Sequence, residues 1–377
     1  MNEGVLIKRD VESRTSWVQH VSLTDFRNYR ELALDLDPGF NIVQGANGQG
    51  KTNLLEALYL ISTSRLLRGH KDAEAITHGC SGARVSVEIS PSETKLGVKL
   101  ERGVRKRATL NDLALPRASD LLGRLPCVCI STLDMEIVRG DPSERRMFLD
   151  LELSALRRAY LQHLAVYKRA LEQRNSLLKE AQERHVGSHE WEVWEEQLAA
   201  SGAQIRSHRR EYVETIRPDV VEFHGRMGAG ETIHVDYRQR DEAANEAGLR
   251  EQLARCRVSD TTRGSTSVGP HRDDLGILLQ AAEARLFGSQ GQQRTAVVAI
   301  KMATLLAMSR QCDESPLLLL DDIFSDLDPE RRKSLVQIVL EAGGQSLLTC
   351  TDTHALDPEL ISRATMYEAA GGQVRPL

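Results

Sequence analysis

The chain has 377 residues, of which 41% are hydrophobic and 27% are charged, and its formal net charge is −5. This composition is typical of a globular protein and excludes a collagen-like or wholly disordered chain. The acidic balance excludes a strongly basic nucleic-acid-binding protein, so any contact with nucleic acid would depend on a local basic surface. At roughly 150 residues per domain, the length predicts two to three domains.

Cysteine usage and apolar runs indicate the compartment. The six cysteines form no CxxC pair and match no zinc-binding spacing, which favours free thiols in a reducing compartment. Residues 1–14 lack the apolar core of a secretory signal. No segment approaches the ~20 apolar residues that a membrane-spanning helix requires. We therefore expect a cytoplasmic protein without a membrane partner.

In the first third of the chain, predicted strands surround a glycine-rich loop and a helix. Apolar and polar residues alternate over residues 18–23 and 32–36, which predicts two half-buried strands. A short apolar run predicts a buried strand over residues 40–43, directly before the loop. From Thr52 onward apolar residues recur at helical spacing, and residues 83–113 are predicted to be rich in β-strands.

The middle of the chain has a different pattern. Residues 144–216 are highly charged and carry apolar stripes at helical spacing, which predicts helices. These helices are too short and too irregular to form a long coiled-coil arm. Residues 241–266 are polar and rich in small residues, which predicts a mobile segment. After Gly264 the α/β pattern returns and continues to residue 377.

The strongest motif is a complete phosphate-binding loop, G-x-x-x-x-G-K-[ST], between a predicted strand and a predicted helix. Its residues are Gly45, Ala46, Asn47, Gly48, Gln49, Gly50, Lys51 and Thr52. Glycines allow the backbone N–H groups to surround phosphates, and the helix N-terminus adds positive potential. Lys51 is predicted to bind the β- and γ-phosphates, and the Thr52 hydroxyl to coordinate Mg²⁺.

A run of four leucines at residues 317–320 ends in Asp321 and Asp322. An unbroken apolar run is typical of a parallel strand that is covered on both faces. We expect Asp321 to lie beside the phosphate-bound Mg²⁺, and Asp322 to accept a proton from water as a general base. Alone, the run would indicate a core strand that meets a surface turn; the phosphate-binding loop favours the catalytic interpretation.

A second helix start also has the groups needed to bind an anion. Its residues are Ser289, Gln290, Gly291 and Gln292, which offer a hydroxyl, backbone N–H groups and the positive end of a helix dipole. Because one nucleotide already has its own loop, we predict that this helix start contacts the γ-phosphate of a nucleotide held by another subunit. The alternative is an ordinary serine N-cap.

The order of these motifs resembles the head of an ABC-type ATPase. Five segments carry a narrower resemblance: residues 25–29 (DFRNY), 45–57 (GANGQGKTNLLEA), 145–150 (RRMFLD), 269–275 (GPHRDDL) and 289–295 (SQGQQRT). With these segments, residues 18–377 resemble the RecF family of bacterial recombination mediators. Transporter ATPases lack the 269–275 stretch, and SMC-related proteins carry long coiled coils that are missing here.

The resemblance implies an α/β fold, namely a P-loop NTPase sheet with helices and a β-rich lobe, interrupted by a helical insertion domain. Residues 1–16 have no counterpart in the family, and the sequence pattern predicts a short tail there. Residues 17–130 would form the first half of the ATPase head, with Walker A and the β-rich lobe. Residues 131–260 would form the insertion, and residues 261–377 the second half of the head, with the Ser-x-Gly-Gln signature, Walker B and the D-loop. The nucleotide site would extend to Asn53.

The resemblance also implies a function. Proteins of this family bind ATP and Mg²⁺ and form a homodimer on ATP, with each nucleotide between one subunit's Walker A and the other's signature. The dimer binds duplex DNA and duplex–single-strand junctions at gaps, and slow, weak, DNA-stimulated ATP hydrolysis releases it. RecR and RecO are the implied partners in loading a recombinase. The alternative is an SMC-related or other ABC-type ATPase whose partner is not DNA.

Two places depart from the family pattern. Residues 131–136 (STLDME) contain no glutamine for the Q-loop. Residues 349–354 occupy the place of the switch loop, where either Asp352 or His354 is a candidate γ-phosphate sensor; His354 is equally explained as a surface histidine.

Three basic clusters are candidates for DNA contact, and each is alternatively a solvated surface. They are residues 65–71 after the Walker A helix, residues 102–107 in a predicted hairpin, and residues 206–210 on a helix. We favour the first two, because we expect them to flank the dimer cleft and to contact phosphates without reading sequence. The candidate residues are Arg65, Arg68, Lys71, Arg105, Lys106 and Arg107, and the same two clusters also contain His70 and Arg102.

Overall fold

The computed structural model describes residues 16–69, 71–228, 230–312, 315–325 and 327–377. The strands in chain order are β1 (Trp17–Phe26), β2 (Tyr29–Asp35), β3 (Phe40–Gln44), β4 (Gly82–Ser90), β5 (Thr94–Glu101), β6 (Val104–Leu110), β7 (Leu113–Ala114), β8 (Cys127–Ile130), β9 (Ile233–Arg238), β10 (Asp274–Leu279), β11 (Ala282–Glu283), β12 (Leu317–Asp321), β13 (Ser346–Cys350), β14 (Ala364–Ala370) and β15 (Gln373–Pro376). The helices are α1 (Lys51–Thr63), α2 (Glu136–Arg139), α3 (Pro142–Leu156), α4 (Arg158–Glu180), α5 (Ser188–Met227), α6 (Glu246–Arg255), α7 (Arg257–Arg263), α8 (Ala284–Phe287), α9 (Gln290–Gln311), α10 (Pro329–Ala342) and α11 (Pro358–Ser362).

An antiparallel sheet in the order β2-β1-β4-β5-β6-β7 forms the β-rich part of the molecule. In the β1–β2 pair, Leu23 lies opposite Leu32 and Val21 opposite Leu34. The alternating residues therefore share one buried face, as the period of two along a strand requires. The strands predicted over residues 18–23, 32–36 and 83–113 are confirmed.

A second, mostly parallel sheet has the order β15-β14-β3-β13-β12-β8, and only its edge pair β14–β15 is antiparallel. Leu317 and Leu319 pack into the core that contains α1, whereas Leu318 and Leu320 pack into the core that contains α9. The leucine run is thus buried on both faces, as predicted. Because β3, β13 and β12 are parallel, their carboxyl ends meet at one edge of the sheet.

The third sheet joins two segments that the sequence assigned to different domains. β9 lies in the predicted insertion, and it pairs antiparallel with β10 from the second half of the predicted head. Helix α5 packs against both α4 and α9, so it contacts the insertion and the head. The division at residues 130 and 260 remains a prediction.

The prediction of a mobile segment over residues 241–266 is wrong. This stretch contains α6 and α7, and α6 packs against α5 through the buried Leu249 and Leu253. A fully buried arginine, Arg174, fixes it further. Its guanidinium donates to Asp260 at 2.8 Å, to Thr266 at 2.9 Å and to the backbone of Leu253 at 2.9 Å.

The α/β fold class is confirmed, and none of the described helices extends into a long coiled-coil arm. No helix among the described residues combines the length and the apolar character needed to cross a bilayer. All six cysteines lie within the described residues and are free thiols. The predicted tail at residues 1–16 falls, except for Ser16, outside the described residues, as do His70 and Asp326.

Candidate nucleotide site

Residues 45–50 form a tight loop between β3 and α1 that only glycine allows at key positions. Gly45, Gly48 and Gly50 have φ angles of 154°, 82° and 109°. A Cβ on Gly45 would lie 2.4 Å from the Ala369 carbonyl oxygen, and one on Gly50 would lie 2.6 Å from the Asn28 amide nitrogen. The loop can therefore turn sharply and expose its N–H groups, which is the geometry of an anion-binding loop.

The ammonium of Lys51 is held against this loop. Its Nζ donates to the Gly45 carbonyl at 2.5 Å and to the Ala46 carbonyl at 3.0 Å, and the residue is only 6% exposed. A positive charge thus lies inside the loop before any ligand binds. Phosphate oxygens would be stronger acceptors for this ammonium than neutral carbonyls.

Thr52 and Asp321 are 269 residues apart in the chain, yet their side chains are in contact. The Thr52 hydroxyl donates to Asp321 Oδ1 at 2.9 Å, and the Thr349 hydroxyl at the end of β13 donates to the same oxygen at 2.8 Å. Burial raises the pKa of Asp321, and the bonds from Thr349 and Thr52 partly offset that effect. The parallel sheet therefore brings the two motifs together as expected.

Asp322 adopts a left-handed backbone conformation, with φ of 50°. Its N–H donates to the Thr349 hydroxyl at 3.1 Å, and its Oδ1 accepts from the Ser325 hydroxyl at 2.8 Å. Aspartate and asparagine tolerate this conformation better than most residues. The carboxylate is therefore held in a fixed orientation at the edge of the sheet, one residue beyond Asp321.

The oxygen groups at this edge fit a magnesium ion. Mg²⁺ prefers oxygen ligands and is usually bound by one or two carboxylates together with substrate phosphates and water. The Thr52 hydroxyl and the buried Asp321 carboxylate supply such a set, and a cation would relieve the cost of burying that carboxylate. Among the described residues there is no cluster of three or more His, Cys, Asp or Glu side chains suited to a metal, so phosphate oxygens would have to complete the site.

The serine of the second anion-binding motif caps α9 through a reciprocal capping box. Its hydroxyl accepts from the Gln292 N–H at 3.3 Å, and the Ser289 N–H donates to Gln292 Oε1 at 2.7 Å. The other end of the Gln292 amide donates to Glu231 Oε1 at 2.9 Å. A Cβ on Gly291 would lie 2.4 Å from Arg331 Nη1. The absence of a side chain at Gly291 therefore allows the Arg331 guanidinium to approach the helix backbone.

This helix start is exposed to solvent. Ser289 and Gln290 face solvent, and the preceding Leu286 and Phe287 are 71% and 74% exposed. Within the described parts of the chain, no hydrogen bond joins residues 289–292 to residues 45–53. The exposed apolar pair suits contact with a second molecule.

The comparisons with known proteins agree over almost the whole chain. The family described as RecF/RecN/SMC N terminal domain matches residues 17–367. A "DNA replication and repair protein RecF" from Symbiobacterium thermophilum is 39% identical over 352 residues, which cover 90% of this chain and 92% of that protein. The chain belongs to the RecF family. A second RecF protein, from Heliobacterium modesticaldum, is 36% identical and covers 95% of this chain and 98% of its own length.

Solved structures of the RecF family have the same fold. The "recombination mediator protein RecF-ATP in RecFOR pathway" superposes with a TM-score of 0.89 at 30% identity, and the match covers 98% of this chain and all of that one. An SMC head in complex with the C-terminal winged-helix domain of ScpA has a TM-score of 0.57 at 14% identity and 96% coverage of this chain. The second likeness shows the shared ATPase-head fold alone.

The RecF-family marker at residues 25–29 (DFRNY) is hydrogen-bonded to the candidate phosphate-binding loop, a contact that the sequence does not reveal. Asn28 donates to the Gln49 carbonyl at 3.0 Å and accepts from Asn53 at 2.7 Å. Tyr29 donates to the Gly50 carbonyl at 3.0 Å. The predicted ligand residue Asn53 is thus turned toward Asn28 in this structure. The segment was visible as a family marker, but only the fold shows what it contacts.

The DNA candidates of this RecF-family chain differ in their ion pairs. Lys106 donates to Asp72 at 2.8 Å, and Arg107 lies 3.7 Å from Glu101. Arg68 donates to the Asn53 side chain at 2.5 Å, next to the candidate phosphate-binding loop, and lies 3.8 Å from Glu56. For the exposed Arg65, Lys71 and Arg105, no ion pair with another described residue is found. These three cations are the ones most available to an external anion.

The third basic cluster of the RecF-family chain, residues 206–210, is largely internal. Arg206 is paired with Asp241 and Asp273, and Arg209 is paired with Asp150. In the switch-loop region, Asp352 Oδ1 accepts from the His354 N–H at 2.9 Å, and the His354 side chain is 94% exposed. This geometry leaves the choice between Asp352 and His354 as γ-phosphate sensor open.

Proposed function

We propose that this protein is an ATP-dependent DNA-binding protein of replication and recombinational repair in the cytoplasm, and that it dimerises on ATP. The observation that carries the proposal is the hydrogen bond between Thr52 and Asp321, because it joins the phosphate-binding loop to the paired carboxylates. The names of the relatives, DNA replication and repair proteins, support the DNA part of the proposal.

In the proposed mechanism, the N–H groups of residues 45–50 bind the phosphates of ATP. The Lys51 ammonium exchanges its carbonyl partners for β- and γ-phosphate oxygens, and Thr52 and Asp321 are the residues that would hold Mg²⁺. The bound metal ion would neutralise charge that develops on the phosphates. Asp322, oriented by Ser325 and Thr349, accepts the proton of the attacking water.

In the proposed dimer, Ser289 to Gln292 of one subunit contact the γ-phosphate held by the partner. The exposure of Ser289 and Gln290 and the neighbouring exposed Leu286 and Phe287 support this arrangement. The capping box leaves the serine oxygen and the first helical N–H groups at the surface, where an oxyanion can reach them. Two nucleotides would then close the dimer, and weak, DNA-stimulated hydrolysis would reopen it.

We further propose that the dimer binds duplex, gapped or junction DNA without reading sequence, and that it acts with RecR and RecO to load a recombinase. The support is the similar solved structure, which is described as a recombination mediator in the RecFOR pathway. We also propose that the domains divide after residues 16, 130 and 260. The insertion and the β-rich lobe would then lie beside the DNA.

We expect DNA binding to require ATP and to weaken steeply with salt, because contacts to phosphates release counterions. The measurement is the fluorescence anisotropy of a labelled gapped duplex, titrated with protein in Mg²⁺–ATP, Mg²⁺–ADP and no nucleotide at several KCl concentrations. A second gapped duplex of scrambled sequence serves as the control and should bind equally well. Equal affinity with and without ATP, or no binding at all, would contradict the proposed function and favour an ABC-type ATPase with a different partner.

A further inference from the structure

The family stretch at residues 269–274 connects the inserted helices to the head. Gly269 has a φ of 123°, and a Cβ there would lie 2.4 Å from the Tyr167 hydroxyl on α4. The Pro270 carbonyl accepts from Arg209 on α5 at 2.8 Å, and Asp274 forms a bidentate pair with Arg145 on α3. One short loop thereby fixes the relative positions of α3, α4 and α5.

A cavity of about 340 Å³ opens beside this junction, and we call it the junction cavity. Its wall is formed by α3, α4, α5, residues 270–271 and Arg65 from the segment after α1. Its charges are unbalanced, since the only carboxylate among the described lining residues is Asp150. The cationic lining residues are Arg65, Arg146, Lys168 and Arg209.

Asp150 already has internal partners. It accepts from Tyr160 at 2.5 Å and from Arg209 at 2.7 Å, and Lys168 lies 3.5 Å away. Burial raises the pKa of Asp150, but the neighbouring Arg209 and Lys168 outweigh that effect, and the net pKa is lowered. Its single negative charge is therefore shared by two cations and does not neutralise the cavity.

Arg146 lacks a carboxylate partner among the described residues. The hydrogen bond found for its guanidinium is from Nη1 to the Asp273 carbonyl at 2.9 Å, because the Asp273 carboxylate is occupied by Arg206 and Tyr237. Burial lowers the pKa of Arg146 most, and the nearby Arg209 and Arg272 lower it further, while Asp274 and Asp150 partly offset these effects. A guanidinium in this field has free donors and would be stabilised by an anion.

The histidine of the wall, His271, adds no charge. Its Nε2 donates to the Thr266 carbonyl at 3.0 Å, so in the neutral ring Nδ1 accepts from the Tyr167 hydroxyl at 2.6 Å. Burial lowers the pKa of His271 to about 4. At neutral pH the positive charge of the junction cavity therefore belongs to its arginines and Lys168.

A larger neighbouring cavity, of about 570 Å³, provides an internal comparison. Arg65 lines this cavity as well, and so do Arg68 and Lys106, two other DNA candidates. Here, however, carboxylates outnumber cations among the described lining residues. The cations are Arg65, Arg68, Lys106 and Lys301, and the carboxylates are Asp72, Asp134, Glu136, Glu144 and Glu152. The larger cavity therefore has no surplus of cations, whereas the junction cavity has one.

We propose that the junction cavity binds a phosphate group, that Arg146 and Arg65 are its ligands, and that the phosphate belongs to the backbone of bound DNA. This inference rests on the proposed function and refines it. It moves the DNA contact from Arg68 and Lys106 to the junction of α3, α4 and α5. A phosphate bound there would touch the head and the inserted helices at once, since Arg65 follows α1 and Arg146 lies on α3.

The test compares Arg146→Ala and Arg65→Ala with Arg250→Ala, an exposed arginine on α6 that lines neither cavity. Anisotropy titrations of a labelled gapped duplex in Mg²⁺–ATP are run at several KCl concentrations. Arg146→Ala and Arg65→Ala should each bind the duplex at least about tenfold more weakly than the wild type. Each should also reduce by about one the slope of log affinity against log KCl concentration, because one charged contact to a phosphate is lost. Arg250→Ala should match the wild type.

Two further arms separate the outcomes. Melting temperatures show whether Arg146→Ala has a folding defect. If it does, the inference is tested by Arg65→Ala alone, because Arg65 is exposed and has no ion pair with another described residue. Wild-type affinity and slope in Arg65→Ala and in folded Arg146→Ala would overturn the inference. A third outcome is that inorganic phosphate raises the melting temperature of the wild type but not of Arg146→Ala, while Arg146→Ala binds DNA as the wild type does. In that case the cavity binds free phosphate, and its assignment to DNA is wrong. Failure of the wild type itself to bind DNA would instead overturn the proposed function.

Discussion

Lys51→Ala should abolish ATP binding and, with it, every ATP-dependent property of the protein. The ammonium lies within the loop and forms two hydrogen bonds to loop carbonyls. In the complex these would become charge-assisted bonds to phosphates, which contribute roughly 1.5–3 kcal/mol each. Their loss predicts an ATP affinity lower by at least about two orders of magnitude.

The measurement is isothermal titration calorimetry with Mg²⁺–ATP. Lys71→Ala is a matched control, because it removes the same charge from an exposed position beyond the Walker A helix. Lys71→Ala should bind ATP as the wild type does. An affinity of Lys51→Ala within a factor of two of the wild type would show that the loop is not the nucleotide site.

Asp322→Asn should bind Mg²⁺–ATP normally but hydrolyse it about 10²- to 10⁴-fold more slowly, which is the usual contribution of a general base. Asparagine tolerates the left-handed backbone at this position, and its amide oxygen can keep the bond from the Ser325 hydroxyl. The substitution therefore removes the proton acceptor while preserving the local structure. The variant should accumulate as an ATP-bound dimer that remains on DNA.

Phosphate release at saturating ATP measures this effect, and Asp321→Asn provides the comparison one residue earlier. Asp321 is the residue in contact with Thr52, so Asp321→Asn should weaken the Mg²⁺-dependent binding itself. Normal hydrolysis by Asp322→Asn together with an inactive Asp321→Asn would show that the two roles are misassigned.

The elements that depend on local sequence could be predicted. The phosphate-binding loop requires glycines at fixed positions, and Gly45, Gly48 and Gly50 do have positive φ angles. The leucine run is buried on both sides because its side chains alternate between two cores, a consequence of strand geometry alone. Their meeting at one sheet edge follows from the parallel order of β3, β13 and β12.

Contacts between distant residues could not be predicted in the same way. The hydroxyls of Thr349 and Thr52 both donate to Asp321, and Arg174 holds residues 241–266 in place through its bond to Asp260. The local sequence around Thr349 or Arg174 does not indicate either contact. The sequence of residues 206–210 indicates a basic surface. Arg206 and Arg209 are nevertheless buried, and they are paired with aspartates that lie 35 to 67 residues away in the chain. Charge in a sequence does not reveal which charges are already paired.

The dimer is the central claim, and sedimentation velocity of Ser289→Arg tests it most directly. The arginine would occupy the space of the partner's γ-phosphate while leaving the Walker A loop of its own chain intact. With Mg²⁺–ATP the wild type should sediment as a dimer, as should Ser188→Arg, a control at the exposed start of α5. Ser289→Arg should bind ATP yet remain a monomer. If Ser289 is only an N-cap, the variant should lose about 1 kcal/mol of stability and still dimerise, which would contradict the account.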